Sequence, residues 1–279
     1  MRVHPCAICS ASSPDRFRQT DFGDLLDMPP AGDPSPTVLI TGSARRIGRA
    51  IAVDMARGGW QVCVHYRKSS ADADAVVAEI VRAGGRAIAL CADLAQEADV
   101  AGLVPRCREA LGTPTCLINN ASEFLVDTVA TTTPETWDTH LDINLKAPVF
   151  LAKSLFLNLP DGQAGNVINI IDQRVWKLTP DFFSYTISKA GLWTATRTLA
   201  QALAPRVRVN AVGPGPVLKS IHQTELDFAR EADSTLLKRG PAPEEIAAAV
   251  RFILASPSLT GQMIALDGGQ HLTWSDGGV

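Results

Sequence analysis

The stretch TGSARRIGRA, Thr41 to Ala50, decides the fold. It overlaps the end of a short apolar run, TVLIT (37–41). It then leads into IGRAIAVDMARGG (47–59), where apolar residues recur every three to four positions up to Gly58 and Gly59. An apolar run, a glycine-bearing turn and an amphipathic segment predict strand, loop and helix. The same alternation continues outward. WQVCVHY (60–66), RAIALCAD (86–93), TCLINNAS (115–122), NVINIID (166–172), VRVNAVGPG (207–215) and QMIALDGG (262–269) read as further strands. Between them lie predicted helices over 69–85, 95–112, a long one around 134–158, one from about Phe182 to Leu203, and one near 243–255. Near-continuous apolar strands are buried on both faces, as in a parallel sheet covered by helices. Right-handed crossovers then predict an α/β fold: a Rossmann-like, doubly wound parallel sheet with helices on both faces, forming a single domain over 36–279.

Residues 1–35 read as a flexible N-terminal tail, with MPPAGDPSP (28–36) marking the boundary and Met28 a candidate start. Cys6 and Cys9 beside His4 make a C-x-x-C, but no second ligand pair follows at zinc-like spacing, so thiols in a tail are expected and no metal. Cys63, Cys91, Cys107 and Cys116 fall in regular segments and read as small buried apolar residues of a reducing compartment. The 279 residues are 46% hydrophobic and 20% charged with net charge −3, which offers no general attraction to nucleic acid or anionic membrane. No apolar run is long enough to span a bilayer and the N-terminus lacks a signal-peptide core, so the expected location is cytoplasmic.

In a doubly wound sheet, ligands bind beyond the carboxyl ends of the strands. Gly42 permits the tight turn, Gly48 allows the helix to approach the sheet, and amides around Ile47 open the helix toward a pyrophosphate. Arg46 stands where the middle glycine of such a loop is usual. A cofactor ribose with a free 2′-hydroxyl calls for an acidic residue after the second strand. Here that stretch is Tyr66-Arg67-Lys68-Ser69-Ser70, with no acid and several phosphate donors. With Arg45 and Arg46 opposite, it reads as a 2′-phosphate site, and NADPH is the expected cofactor.

SYTISK (184–189) places Tyr185 and Lys189 four apart, on one face of a helix. A nearby ammonium should lower the phenol pKa and make it a usable general acid. Asp172 closes the preceding strand thirteen residues before Tyr185.

The ordered motifs TGSARRIG, CADL, NNAS, DIN, Tyr185/Lys189, VGPGP and LDGG resemble the short-chain dehydrogenase/reductase family over nearly all of 36–279. The resemblance implies that Asp93 contacts the adenine, with Leu94, Asn119, Ala121 and Ser122 lining the cofactor. It implies that Asn144 supports a proton-relay water, Lys189 binds the nicotinamide ribose, and Pro214-Gly215 cover the nicotinamide. Three departures are informative: Asp172 replaces the family's usual serine, Arg46 a glycine, and NNAS the usual NNAG. Together with HYRKSS they resemble the pteridine reductase branch, including dihydromonapterin reductases. That branch implies a pterin-like substrate held by Arg46, Phe124, Asp172 and Tyr185, and a homotetramer. A carboxyl group suits a ring nitrogen and an amino-pyrimidine edge, whereas a hydroxyl suits a carbonyl; an aromatic face suits a flat heterocycle.

Two rival readings remain at this level. One is a reductase of another carbonyl, of 3-oxoacyl or sugar type. The other is a non-catalytic NADPH-binding sensor. Residues 216–240 are expected to cover the substrate, and His222 within them has the reach to touch it, although it reads most simply as a surface histidine.

Overall fold

The computed structural model describes residues 35–274, so the N-terminal tail with Cys6, Cys9 and Met28 lies outside the described residues. Seven parallel strands form one sheet in the order β3-β2-β1-β4-β5-β6-β7. They are β1 (Thr37–Ile40), β2 (Gln61–Tyr66), β3 (Ala87–Cys91), β4 (Pro114–Asn119), β5 (Gly165–Ile170), β6 (Val207–Pro214) and β7 (Met263–Leu266). The order reverses between β1 and β4, and this switch point opens the crevice that holds the candidate site.

The helices are α1 (Arg46–Arg57), α2 (Ser70–Arg82), α3 (Glu97–Leu111), α4 (Pro134–Leu141), α5 (Ala147–Asn158), α6 (Phe183–Leu203), α7 (Glu225–Asp233) and α8 (Pro243–Ala255). Side chains on one sheet face pack with Ile51, Met55, Val76, Ile80, Ile246 and Val250 of α1, α2 and α8. Those on the other pack with Leu103, Cys107, Leu151, Leu155 and Ala200 of α3, α5 and α6. All four residues of β1 are buried, which accounts for its uninterrupted apolar sequence.

Two expectations change. The single helix expected around 134–158 is divided by a π-helical segment, Asp142–Lys146, whose C-cap amide Ala147 N donates back to Asp142 O. Pro148 has no amide hydrogen for an α-helical bond, so the turn re-phases to the wider spacing just before it. Cys91 is exposed rather than buried, its Sγ donating to Arg67 O at 3.3 Å; Cys63, Cys107 and Cys116 are buried as expected. Within 216–240 the chain forms α7, opened by a reciprocal Thr224–Asp227 capping box.

Candidate active site

Two adjoining clefts lie at the carboxyl edge of the sheet. The first, about 400 Å³, runs over the turn from β1 to α1. Gly42 holds φ at +63°, and a Cβ there would meet Ala121 Cα at 2.9 Å. A Cβ on Gly48 would lie 2.5 Å from Gly42 O, so α1 starts as close to the turn as backbone allows. No side chain caps α1 and its first turn holds no acid, which leaves its amide donors free for an anion.

Arg45, Ile47, Tyr66, Lys68, Ser69, Asp93, Leu94, Ala121 and Ser122 line this cleft. Asn119 does not. Its side chain turns into the sheet and donates to Asn169 Oδ1 at 2.8 Å. Asn120 lines the cleft instead and ties the turn together by donating to Thr41 O at 2.9 Å. The strand's alternation decides which neighbour faces the ligand.

Three of the four basic residues here, Arg45, Arg46 and Arg67, are engaged within the protein. Arg45 bonds Asp72 at 2.6 Å and Arg67 pairs with Glu123 at 2.8 Å. Arg46, in the left-handed region at φ +54°, crosses to donate to Leu218 O and Lys219 O at 2.9 and 2.8 Å. Lys68 has no ion-pair partner among the described residues, and Ser69 is the N-cap of α2 with its hydroxyl bonded to nothing in the helix. His65 was not anticipated. It is buried, accepts the Gly42 amide on Nδ1 at 2.9 Å, and faces Ala92 O through Nε2 at 3.1 Å. Burial lowers its pKa to about 4, so it stays neutral and pins the turn. A histidine near the end of an apolar strand was the available signal.

The second cleft, about 390 Å³, begins where Arg46 and Ser122 end the first. Its floor holds Asp172, Tyr185 and Lys189, with Pro214 and Gly215 at the β6 end. Tyr185 OH donates to Asp172 Oδ2 at 2.9 Å. Lys189 Nζ donates to Ile170 O at 3.0 Å. The expected lowering of the phenol does not occur in this arrangement. Burial, then the charge and hydrogen bond of Asp172, hold Tyr185 well above its ordinary value. Burial lowers Lys189 to about 8 and raises Asp172, whose carboxylate the Arg174 amide and guanidinium partly stabilise.

Phe124 stands over this floor, edge-on to Tyr185 with ring centroids 4.7 Å apart. Phe182 stacks on it at 4.4 Å, and the Arg174 guanidinium lies 4.8 Å from the Phe182 ring. Neither Phe182 nor Arg174 carried a sequence signal. His222 is exposed, as expected of a surface histidine, and also lines this cleft, with Nε2 3.0 Å from Phe124 O. Asn144 is wholly buried and lines neither cleft. Its Oδ1 accepts from Glu123 N at 2.9 Å, and its Nδ2 donates to Glu123 O at 2.9 Å and Ser188 Oγ at 3.1 Å. No cluster of three or more His, Cys, Asp or Glu suited to a metal occurs among the described residues, and no helix there is long and apolar enough to cross a membrane.

Comparison with known proteins agrees with this architecture. Residues 42–271 match the family model described as enoyl-(acyl carrier protein) reductase. The 3-oxoacyl-[acyl-carrier-protein] reductase of Synechocystis is 34% identical, over 83% of this chain and 95% of its own. A short-chain type dehydrogenase/reductase of Picea abies is 31% identical, over 83% and 91%. Among solved structures, FolM alternative dihydrofolate reductase 1 of Brucella canis, complexed with NADP, is similar with a TM-score of 0.85 and 49% identity over 88% of this chain and 97% of that one. Its Brucella suis counterpart, also with NADP, gives 0.84 and 50% over 87% and 97%. The family match over most of the chain and the likeness to relatives above 30% identity show that the chain belongs to the short-chain dehydrogenase/reductase family.

Proposed function

We propose that the protein reduces a C=N bond of a pterin or dihydropterin with NADPH. The residues present fit that cofactor. The uncapped start of α1 suits the pyrophosphate, and Lys68 with Ser69 at the start of α2 suits a 2′-phosphate. Asp93 and Leu94 would flank the adenine, and Pro214 with Gly215 the nicotinamide. When bound, NADPH supplies the hydride that reduces carbon.

The chain's own residues handle the proton and the substrate. Tyr185 gives its phenolic proton to the ring nitrogen. Asp172, which accepts that hydroxyl at 2.9 Å, is placed to relay a replacement proton from solvent to the phenolate. Lys189 provides the buried cation that favours the phenolate as it forms. Phe124 offers a flat face to the heterocycle, and Arg46 closes the boundary between the two clefts. Asn144 acts by holding Ser122-Glu123 against α6. The relation to FolM proteins supports this branch. The observation that carries it is the Tyr185–Asp172 contact beneath Phe124, where a carbonyl reductase of this family would place a serine.

The relation to 3-oxoacyl reductases favours a second reading, in which the substrate is a carbonyl. NADPH oxidation in the presence of dihydrobiopterin, dihydromonapterin, dihydrofolate and a 3-oxoacyl thioester separates the two. Turnover of the thioester alone overturns the pterin reading. Asp172→Ser should cut dihydropterin kcat/KM by about 10²-fold, the low end of general-acid contributions, and raise carbonyl turnover. A homotetramer working in the cytoplasm completes the proposal; light scattering and cell fractionation test those two parts.

A further inference from the structure

The Phe124 loop is gripped twice, in parallel. His140 and Asn144 lie four residues apart along α4 and the π segment, and Ser184 and Ser188 lie four apart on α6. Asn144 bonds Ser188 and holds Glu123, as described. His140 forms the second rung. It is 0% exposed, its Nδ1 is 2.7 Å from Ser184 Oγ, and its Nε2 accepts the Leu125 amide at 3.0 Å.

The donors and acceptors fix the proton positions. The Leu125 amide can only donate, so Nε2 is bare and the imidazole proton sits on Nδ1. Nδ1–H then donates to Ser184 Oγ, and the Ser184 hydroxyl donates to Asp127 Oδ2. Asp127, 2% exposed, also accepts the Ser184 amide at 3.2 Å on each carboxylate oxygen. It thereby caps the start of α6, which its own N-cap, Phe182, leaves without a side-chain acceptor. Burial lowers the His140 pKa, in keeping with the neutral ring the chain of bonds requires.

This rung ties the residue after Phe124 to the residue before Tyr185. We propose that His140, acting through Ser184 and Asp127, is a positioning residue that fixes the aromatic platform of Phe124 against the acid Tyr185 and so sets affinity for the heterocyclic substrate, leaving cofactor affinity untouched. The inference rests on the pterin reading above. His140 reaches no ligand itself; its effect passes through the loop and the helix start.

The test uses the full chain and four forms: wild type, His140→Asn, His140→Gln and Ser184→Ala. Asparagine keeps a donor near Nδ1 but loses the acceptor for Leu125. Glutamine restores an acceptor near Nε2. The expected result is a rise of about tenfold in dihydropterin KM for His140→Asn and Ser184→Ala. His140→Gln, which holds Leu125 and leaves the Ser184–Asp127 bond intact but loses the donor to Ser184, should recover in part, to a KM between wild type and His140→Asn. NADPH Kd, read by nicotinamide fluorescence, should stay within about twofold in every form. An unchanged KM, parallel shifts in KM and NADPH Kd, or no recovery by glutamine each overturns the proposal. If both histidine variants are insoluble, Ser184→Ala, which removes one oxygen, decides by the same readouts. A wild-type enzyme that turns over no dihydropterin sinks the pterin reading and this inference together; active wild type with unmoved variants sinks this inference alone.

Discussion

The two clefts meet at Arg46 but are built from different materials. The dinucleotide side is mostly backbone: the β1–α1 turn, the bare start of α1 and close glycine contacts with Ala121 and Asn120. The substrate side is mostly side chains, brought from the β4 loop, the turn after β5, α6 and α7. Backbone shaped by a sheet edge tolerates little variation. Side chains from separate loops can be exchanged while the sheet stays intact. This explains how relatives named for 3-oxoacyl and for dihydrofolate reduction share one scaffold with this chain.

The contrast can be broken in order of expected effect. Tyr185→Phe removes the proposed proton donor from the side-chain cleft. It should lower kcat by about 10²–10⁴-fold while NADPH Kd stays within about twofold. A comparable loss of NADPH binding would mean that the two clefts are not separable. Gly48→Ala attacks the backbone cleft. Its Cβ would sit 2.5 Å from Gly42 O, so the gain in helix propensity is outweighed and a net cost of about 1–3 kcal/mol is expected, with weaker NADPH binding. Thermal melts and calorimetric titration read both quantities, and a variant as stable as wild type would show that the turn can shift.

The last effect concerns His65 and develops only as pH falls, leaving stability at neutral pH unchanged. Its pKa falls from an unfolded value of 6.5 to about 4 in the fold, so the unfolded chain binds the extra proton between those values. The stability it contributes is fully present above pH 6.5 and is lost as pH falls toward 4. The expected loss is on the order of 3 kcal/mol across that window. His65→Asn, which lacks a titrating ring, should flatten the dependence in denaturant titrations run from pH 7 to 4. An unchanged slope would remove His65 from the account.

The dinucleotide side was largely legible in order of sequence. Gly42, Gly48, Lys68 and Ser69 fall where a strand-turn-helix pattern puts them, because local periodicity fixes both the turn and its glycines. The exceptions have physical causes. Asn119 and Asn120 are adjacent, and only strand register tells which faces the cleft. Arg45 and Arg67 read as phosphate donors, and what the sequence does not show is that Asp72 and Glu123, distant along the chain, pair with them. On the substrate side the pairing of Asp172 with Tyr185 followed from spacing, while the direction of the phenol shift did not. Burial, then the charge and hydrogen bond of Asp172, raise the phenol's pKa, and burial is a property of the packed interior. Phe182 and Arg174 give no usable pattern, since each is a loop or helix-end residue placed by contacts made far along the chain.

The sequence by itself determined the alternation of strands and helices, the parallel sheet and the family, because apolar periodicity and glycine punctuation are local and survive reading one residue at a time. Only the tertiary structure decided which polar groups are spent on one another. It joined Arg67 to Glu123, Arg46 to the carbonyls at 218 and 219, and His140 through Ser184 to Asp127. A hydrogen bond between residues tens of positions apart depends on how loops close over the sheet edge, and that closure is set by packing energy summed over the whole domain.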